Sequence, residues 1–294
     1  KVVVNLDRTF SAGQGYVALT RVKCKDGLFI ETNDVSTLHK KVYADAEVKS
    51  ALFGMNKLKF PNSFERSSLC TRIILHNIQS LKAHFSDLQH DLRFTEADII
   101  SLTETWLRPN ENLLNFSLDG FSFHSQARGN VYDDQSIDLH TKRVAKGGGV
   151  AVYIKENEND KKVNLLPLKN IEGIAVNLQS IQTVILTLYR PGTTIACKFL
   201  QRLQKLLEHY RKDNWNIVCI GDFNEDAHLT GPIQSFMKNQ GFRQLVSFNT
   251  TEGATILDHV YVSGSLQVSV NKMSTYFSYH DAVVVTIFPN GYNA

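Results

Sequence analysis

Residues 216–227, NIVCIGDFNEDA, run from an apolar strand into a carboxylate and an amide. Ile217, Val218, Cys219 and Ile220 have the partly β-branched, apolar character of a strand covered on both faces. Gly221 interrupts them, and Asp222 and Asn224 follow with only Phe223 between, so at a period of two both polar side chains share one side. Other apolar runs carry a similar group near an end: Asn77 after IILH, Glu104 after IISLT, Tyr189 closing VILTL, Asp258 after TIL, and His280 and Asp281 ahead of VVVTIF. Brought to one sheet edge, they would line a pocket with carboxylates, amides, a phenol and an imidazole. That donor set suits a hard, oxygen-ligated Mg²⁺ or Mn²⁺ and the hydrolysis of a phosphate ester.

Taken singly, each group has an ordinary role. Asp-x-Asn after a strand commonly closes a turn, and a Glu at a strand end commonly lies in solvent. KGGGV lacks the lysine and hydroxyl of a phosphate-binding loop and reads as a glycine hairpin. His84 and His90 fall off one helical face and form no metal pair.

The elements that must position these groups begin at Leu69. TRIILHNIQSL reads as a strand with Ile73, Leu75 and Asn77 on one face, and LKAHFSDLQHDL as a helix with Leu81, Phe85, Leu88 and Leu92 at helical spacing. ADIISLTETW, GGGVAVYIK, IEGIAVNLQS and TVILTLYRPG read as strands. FLQRLQKLLEHYRK is an amphipathic helix with Leu203, Leu206, Leu207 and Tyr210 inward. Residues 125–146 read as a long polar surface loop. The expected fold class is α/β, two sheets packed face to face with helices outside. Residues 1–53 are a different block, joined by a connector over 54–68 to the domain at 69–294.

Composition constrains the class less than the motifs do. The chain has 294 residues, 43% apolar and 21% charged, with a formal net charge of +3. This is ordinary globular composition, and the charge balance alone names no partner. Cys24, Cys70, Cys197 and Cys219 are scattered, without zinc spacing or a disulfide framework, as expected in a reducing, intracellular compartment. No apolar run approaches the roughly 18 residues of a membrane span, and no signal peptide is read. Since it begins at Lys1, the chain reads as a piece of a longer polypeptide.

HNIQSL, LTETWL, GGGVAVYI, LYRPG, GDFN, ILDHVYV and YHDAVVV, in that order, resemble the endonuclease/exonuclease/phosphatase family, the family of deoxyribonuclease I and the abasic-site endonucleases. The LTETWL and LYRPG wording is most similar to endonucleases carried by retroelements and other transposons. The resemblance spans about residues 69–288. It implies a four-layered α/β sandwich and metal-dependent cleavage of phosphodiesters, here in DNA, with Mg²⁺ or Mn²⁺ as cofactor. Residue by residue, it implies that Asp222 aligns and deprotonates the attacking water and that Asn224 contacts the phosphate. Glu104 would be the main metal ligand, with Asn77 supporting it. Asp258 would orient His280 toward the scissile phosphate, and Tyr189 would hydrogen-bond a phosphate oxygen. The alternatives are a phosphoesterase of the same fold acting on RNA or a small phosphate ester, and a non-catalytic nucleic-acid-binding relic using Lys142, Arg143, Lys146, Lys155 and Arg190.

Departures from the family pattern occur at Gly192, where the abasic-site enzymes carry an asparagine, and at Tyr279, where an acid precedes the histidine. A neutral phenol at 279 should leave His280 holding its proton less readily, lower metal affinity and favour Mn²⁺.

The N-terminal words GQGYVALTRVKCKDGLFI resemble the last conserved motif of DNA helicases encoded by Helitron transposons. By that resemblance Gln14 and Arg21 reach a bound nucleotide, the arginine toward its γ-phosphate. With no phosphate-binding loop, residues 1–53 read as the truncated end of a helicase preceding the nuclease. The transposon analogy implies a nuclear location.

Overall fold

The computed structural model describes residues 2–5, 28–31, 70–132, 137–144, 146–156, 161–166, 169–212, 214–275 and 277–288. The chain divides into two units, Lys1–Ser67 and Ser68–Ala294. In the first, β1 (Val2–Asn5) pairs in parallel with β2 (Leu28–Glu31), Val2 opposite Leu28. The strand expected at 28–30 is therefore present. Gln14, Arg21, the strand expected over 16–19 and the connector lie outside the described residues.

The second unit holds two six-stranded mixed sheets. One contains β3 (Thr71–Asn77), β4 (Ile99–Thr103), β5 (Phe121–Gln126) and β6 (Val150–Lys155), with β13 (Val268–Met273) and β14 (Ala282–Ile287), in the order β13-β14-β3-β4-β6-β5. The other contains β7 (Lys161–Leu165), β8 (Glu172–Leu178), β9 (Thr183–Tyr189) and β10 (Asn216–Asp222), with β11 (Arg243–Gln244) and β12 (Asp258–Val262), in the order β11-β12-β10-β9-β8-β7. Flanking helices are α1 (Leu81–His90), α2 (Leu92–Thr95), α3 (Ile137–Val144), α4 (Ala196–Arg211) and α5 (Pro232–Asn239).

Period-two alternation explains the layering. In β10, Val218 and Ile220 join a core between the sheets, with Ile73 and Leu75 of β3. Ile217 and Cys219 face the other way, under Phe199, Leu203 and Leu206 of α4 and Ile233 of α5. On the far side, Ile74 of β3 and Ile100 of β4 pack beneath Leu81 and Leu88 of α1. The result is the four-layered sandwich: helices, sheet, sheet, helices. Between the inner faces, the Thr187 hydroxyl donates to Ser101 Oγ at 3.0 Å, pairing two polar residues of the facing sheets. A one-residue slip of β10 would turn its core side chains outward, so the packing that fixes the register also fixes where the strand end points.

Several expectations are corrected. Leu92 is 73% exposed, because the first helix stops at His90 and extended Asp91 caps a separate short helix through Arg93 N–H. The described residues of 125–146 do not form one surface loop. β5 pairs with β6 up to Gln126, Arg128 and Tyr132 are buried, and α3 follows. KGGGV is no hairpin: Gly148 and Gly149 carbonyls accept from Trp106 N–H (2.8 Å) and Thr105 N–H (3.3 Å), strapping the segment across the end of β4.

Candidate active site

The polar cluster forms where the inner faces of both sheets run out. Asn77 continues the inward row Ile73, Leu75; Asp222 continues Val218, Ile220; Tyr189 follows Ile185 on β9. β12 is antiparallel to β10, so its first residue, Asp258, sits opposite Asp222, and Tyr189 of parallel β9 sits opposite Asp222 on the other side. The groups therefore meet at the shared end of two sheets rather than along one edge. Asn77, Glu104 and His280 come from one sheet, and Tyr189, Asp222, Asn224 and Asp258 from the other. Asn77 joins the halves, its Nδ2 donating to Asp222 Oδ2 at 2.8 Å and to Glu104 Oε1 at 3.2 Å.

Glu104 reaches the cluster by breaking alternation. Continued extension would place it on the helix side with Leu102, but its φ is 51°, in the left-handed region. Such a conformation costs a non-glycine residue roughly 1–3 kcal/mol. Donors to its carboxylate offset that cost: Tyr189 OH at 3.1 Å and Trp106 Nε1 at 3.0 Å, besides Asn77.

Asp222 is buried and held by amides. Asn224 N–H donates to Oδ1 at 2.8 Å, and Asn224 Nδ2 to Oδ2 at 3.3 Å and to the Arg190 carbonyl at 2.8 Å. Gly221 permits the approach, since a Cβ there would lie 1.7 Å from the Leu188 carbonyl oxygen of β9. Burial, then the Asp258 charge beside it, pushes the Asp222 carboxyl up to about 8, with Glu104 adding to the rise. His280 Nδ1 bonds Asp258 Oδ2 at 2.7 Å. Burial alone would lower its pKa, but Asp258, reinforced by Asp222 and Glu104, outweighs it and raises His280 to about 9. The Asp258 carboxylate thus meets the imidazole directly, whatever the phenol at 279 withholds. Asp281 turns away, its Oδ2 2.6 Å from Lys272 Nζ.

Behind Tyr189 lies a charge pair that the sequence reading missed. Buried Glu172 accepts from Arg128 Nε (2.8 Å), Tyr132 OH (3.0 Å) and Gly149 N–H (2.6 Å), and the Arg128 guanidinium sits 5.6 Å from the Tyr189 ring centroid. Burial pushes the Glu172 carboxyl up, and Arg128 opposes it. The glycine run makes room: a Cβ on Gly148, whose φ is +69°, would lie 2.1 Å from Arg128 Nη2. A glutamate opening the largely apolar strand EGIAVNL was the available signal. Two of the basic residues considered for a relic serve the fold. Arg190 donates its guanidinium to the carbonyls of Phe223, Thr194 and Asn224, fastening the GDFN turn, while Lys155 ends β6 and donates to Thr95 O.

Among the described residues, no group of three or more His, Cys, Asp or Glu side chains is arranged to hold a metal. A magnesium-type ion needs less, because it keeps several waters and takes one or two carboxylates plus substrate oxygens. Glu104 and Asn77 fit that demand. The charges support it too: Asp222, Asp258 and Glu104 converge with His280 as counter-cation, and the surplus that lifts Asp222 is what a divalent ion would offset. Asn77 turns Nδ2 toward both carboxylates, so ligation through its oxygen requires the amide to reverse.

A two-sheet sandwich with acids, amides and an imidazolium at the open end of its inner faces defines a phosphoesterase-type fold. The family model described as Endonuclease/Exonuclease/phosphatase family matches residues 62–280, and the chain belongs to that family, whose members are typically hydrolytic phosphoesterases using divalent metals. No curated protein sequence matches the chain significantly. Similar solved structures include the AP endonuclease LMAP from Leishmania major (15% identity, TM-score 0.58, covering 79% of this chain and 91% of that one). Others are the 3′-5′ exonuclease NExo from Neisseria meningitidis (15%, 0.55, 73% and 98%) and the endonuclease domain of TRAS1, a telomere-specific non-LTR retrotransposon (14%, 0.52, 75% and 99%). At these identities the likeness carries the fold. No helix among the described residues is long and apolar enough to cross a membrane.

Proposed function

We propose that the protein is a divalent-metal-dependent endonuclease that hydrolyses DNA phosphodiesters. The observation that carries this reading is Asp222, buried between the Asn77 and Asn224 amides and beside the His280–Asp258 pair. Held there, the carboxylate aligns a water and takes its proton as the water oxygen bonds to phosphorus. When substrate binds, Tyr189 OH would exchange Glu104, and Asn224 Nδ2 one of its two acceptors, for a phosphoryl oxygen, and the His280 imidazolium, its Nδ1 fixed by Asp258, would offer Nε2 to the same charge. The P–O3′ bond breaks and O3′ takes up a proton, leaving a 3′-hydroxyl and a 5′-phosphate. A cation held by Glu104 and Asn77 would supply Lewis-acid stabilisation of the phosphoryl and leaving oxygens.

The DNA assignment and a place in a transposon-encoded helicase–endonuclease rest on the LTETWL and LYRPG wording and on the helicase-like words at 13–30. The test is supercoiled plasmid with Mg²⁺ or Mn²⁺, beside RNA and bis(p-nitrophenyl) phosphate. Nicking by the wild type, absent in Asp222→Ala, is the expected result. Cleavage confined to RNA or the small ester would overturn the DNA assignment.

A further inference from the structure

Tyr279 occupies the position at which the family resemblance expects an acid. His280 Nδ1 already meets the Asp258 carboxylate at 2.7 Å, so the position at 279 is open to another use. Among the described residues, the exposed large hydrophobic side chains are aliphatic except Trp106, 47% exposed, and Tyr279, 44% exposed. Both adjoin the site. Trp106 commits its indole N–H to Glu104. Tyr279 places its ring centroid 5.8 Å from that of His280 at 76°, and its hydroxyl has no hydrogen-bond partner among the described residues.

The ring is exposed, yet its backbone is clamped. Tyr279 N–H donates to Gln79 Oε1 at 3.2 Å, its carbonyl accepts from Glu252 N–H at 3.1 Å, and neighbouring Ser278 Oγ donates to the Asn77 carbonyl at 2.7 Å. The phenol lies over Gly253, where a Cβ would fall 2.2 Å from the tyrosine oxygen, so the loop facing the ring has a glycine where any side chain would collide. A half-exposed aromatic ring on a clamped backbone, beside the imidazole, has the properties of a stacking surface, since every nucleobase presents a π-face.

We propose that Tyr279 is the stacking platform for the nucleobase next to the scissile phosphate, and that the substrate is a nucleic-acid strand with an unpaired base at the cut. The inference rests on the proposed phosphodiester cleavage and narrows its substrate. A base inside a duplex already has both faces covered, whereas a single strand or a distorted junction offers one.

The test measures binding of the full chain, in EDTA, to two single-stranded oligonucleotides, one with ordinary bases and one abasic at its central positions. Tyr279→Leu should raise Kd for the base-bearing strand about 10-fold and leave the abasic strand unchanged, while Tyr279→Phe keeps wild-type binding of both. Tyr279→Asp, which restores the expected acid, should weaken base-dependent binding as well. Equal Kd values for wild type and Tyr279→Leu on the base-bearing strand overturn the platform, as does equal weakening on both strands. Hydrolysis of bis(p-nitrophenyl) phosphate, which has no base, separates the two readings. If wild type fails on every phosphodiester, the proposed activity falls, and the base-dependent Kd still decides the platform.

Discussion

Replacing Asp258 with asparagine removes the carboxylate that keeps His280 charged, and the consequence can be sized. His280 is raised from 6.5 to about 9, which at about 1.36 kcal/mol per unit corresponds to roughly 3 kcal/mol of folding free energy. The pKa is higher in the folded state, so this contribution is complete below 6.5 and is lost as pH rises through about 9. Asp222, raised from 3.8 to about 8, also loses stability with rising pH, over a lower window. Urea unfolding therefore reports their sum, and ring-carbon NMR titration of the metal-free protein isolates the histidine. In Asp258→Asn the burial remains while the chief opposing charge is gone, so the His280 titration should fall by more than one unit, and the loss of stability between pH 7 and 9 should shrink. The reasoning is refuted if wild-type His280 titrates below 7, or if its midpoint stays near 9 in Asp258→Asn.

The other predictions concern neighbouring parts of the site and its support. Asp222→Ala should lower plasmid nicking at least about 100-fold without unfolding the protein, as the loss of a proton acceptor at the reacting centre requires; rates with circular-dichroism melts check this. Tyr189→Phe removes a hydrogen bond to the Glu104 carboxylate and should lower the rate about 10–100-fold, with a higher Mg²⁺ concentration needed for half-maximal activity. Glu172→Gln leaves Arg128 buried without its counter-charge and should cost about 3–5 kcal/mol in urea denaturation, more than replacing both by apolar residues. Gly148→Ala forces a Cβ against Arg128 Nη2 at a positive φ and should lower stability by about 1–3 kcal/mol, read from the same melts.

The local order of this protein is written in its sequence. Continuous apolar runs marked out β3, β9 and β10 because strands buried on both faces need apolar residues on each, and α4 was legible from Leu203, Leu206, Leu207 and Tyr210 at helical spacing. The candidate site was legible for the same reason. Asn77, Asp222 and Tyr189 are polar residues standing where an inward apolar row would otherwise continue. Other features had no local signature. Arg128 and Glu172 are separated by 44 positions, and their pairing depends on β5, β6 and β8 having already assembled. The inward turn of Glu104 contradicts the alternation of its own strand, because its conformation is set by the donors Tyr189, Trp106 and Asn77 rather than by its neighbours in the chain. Likewise, the side chains could be listed from the sequence, but their division between two sheets follows from strand order, a property of hydrogen-bonded pairs far apart along the chain. Residue types and spacing determined what chemistry was on hand; only the packing of one sheet on the other decided which atoms meet.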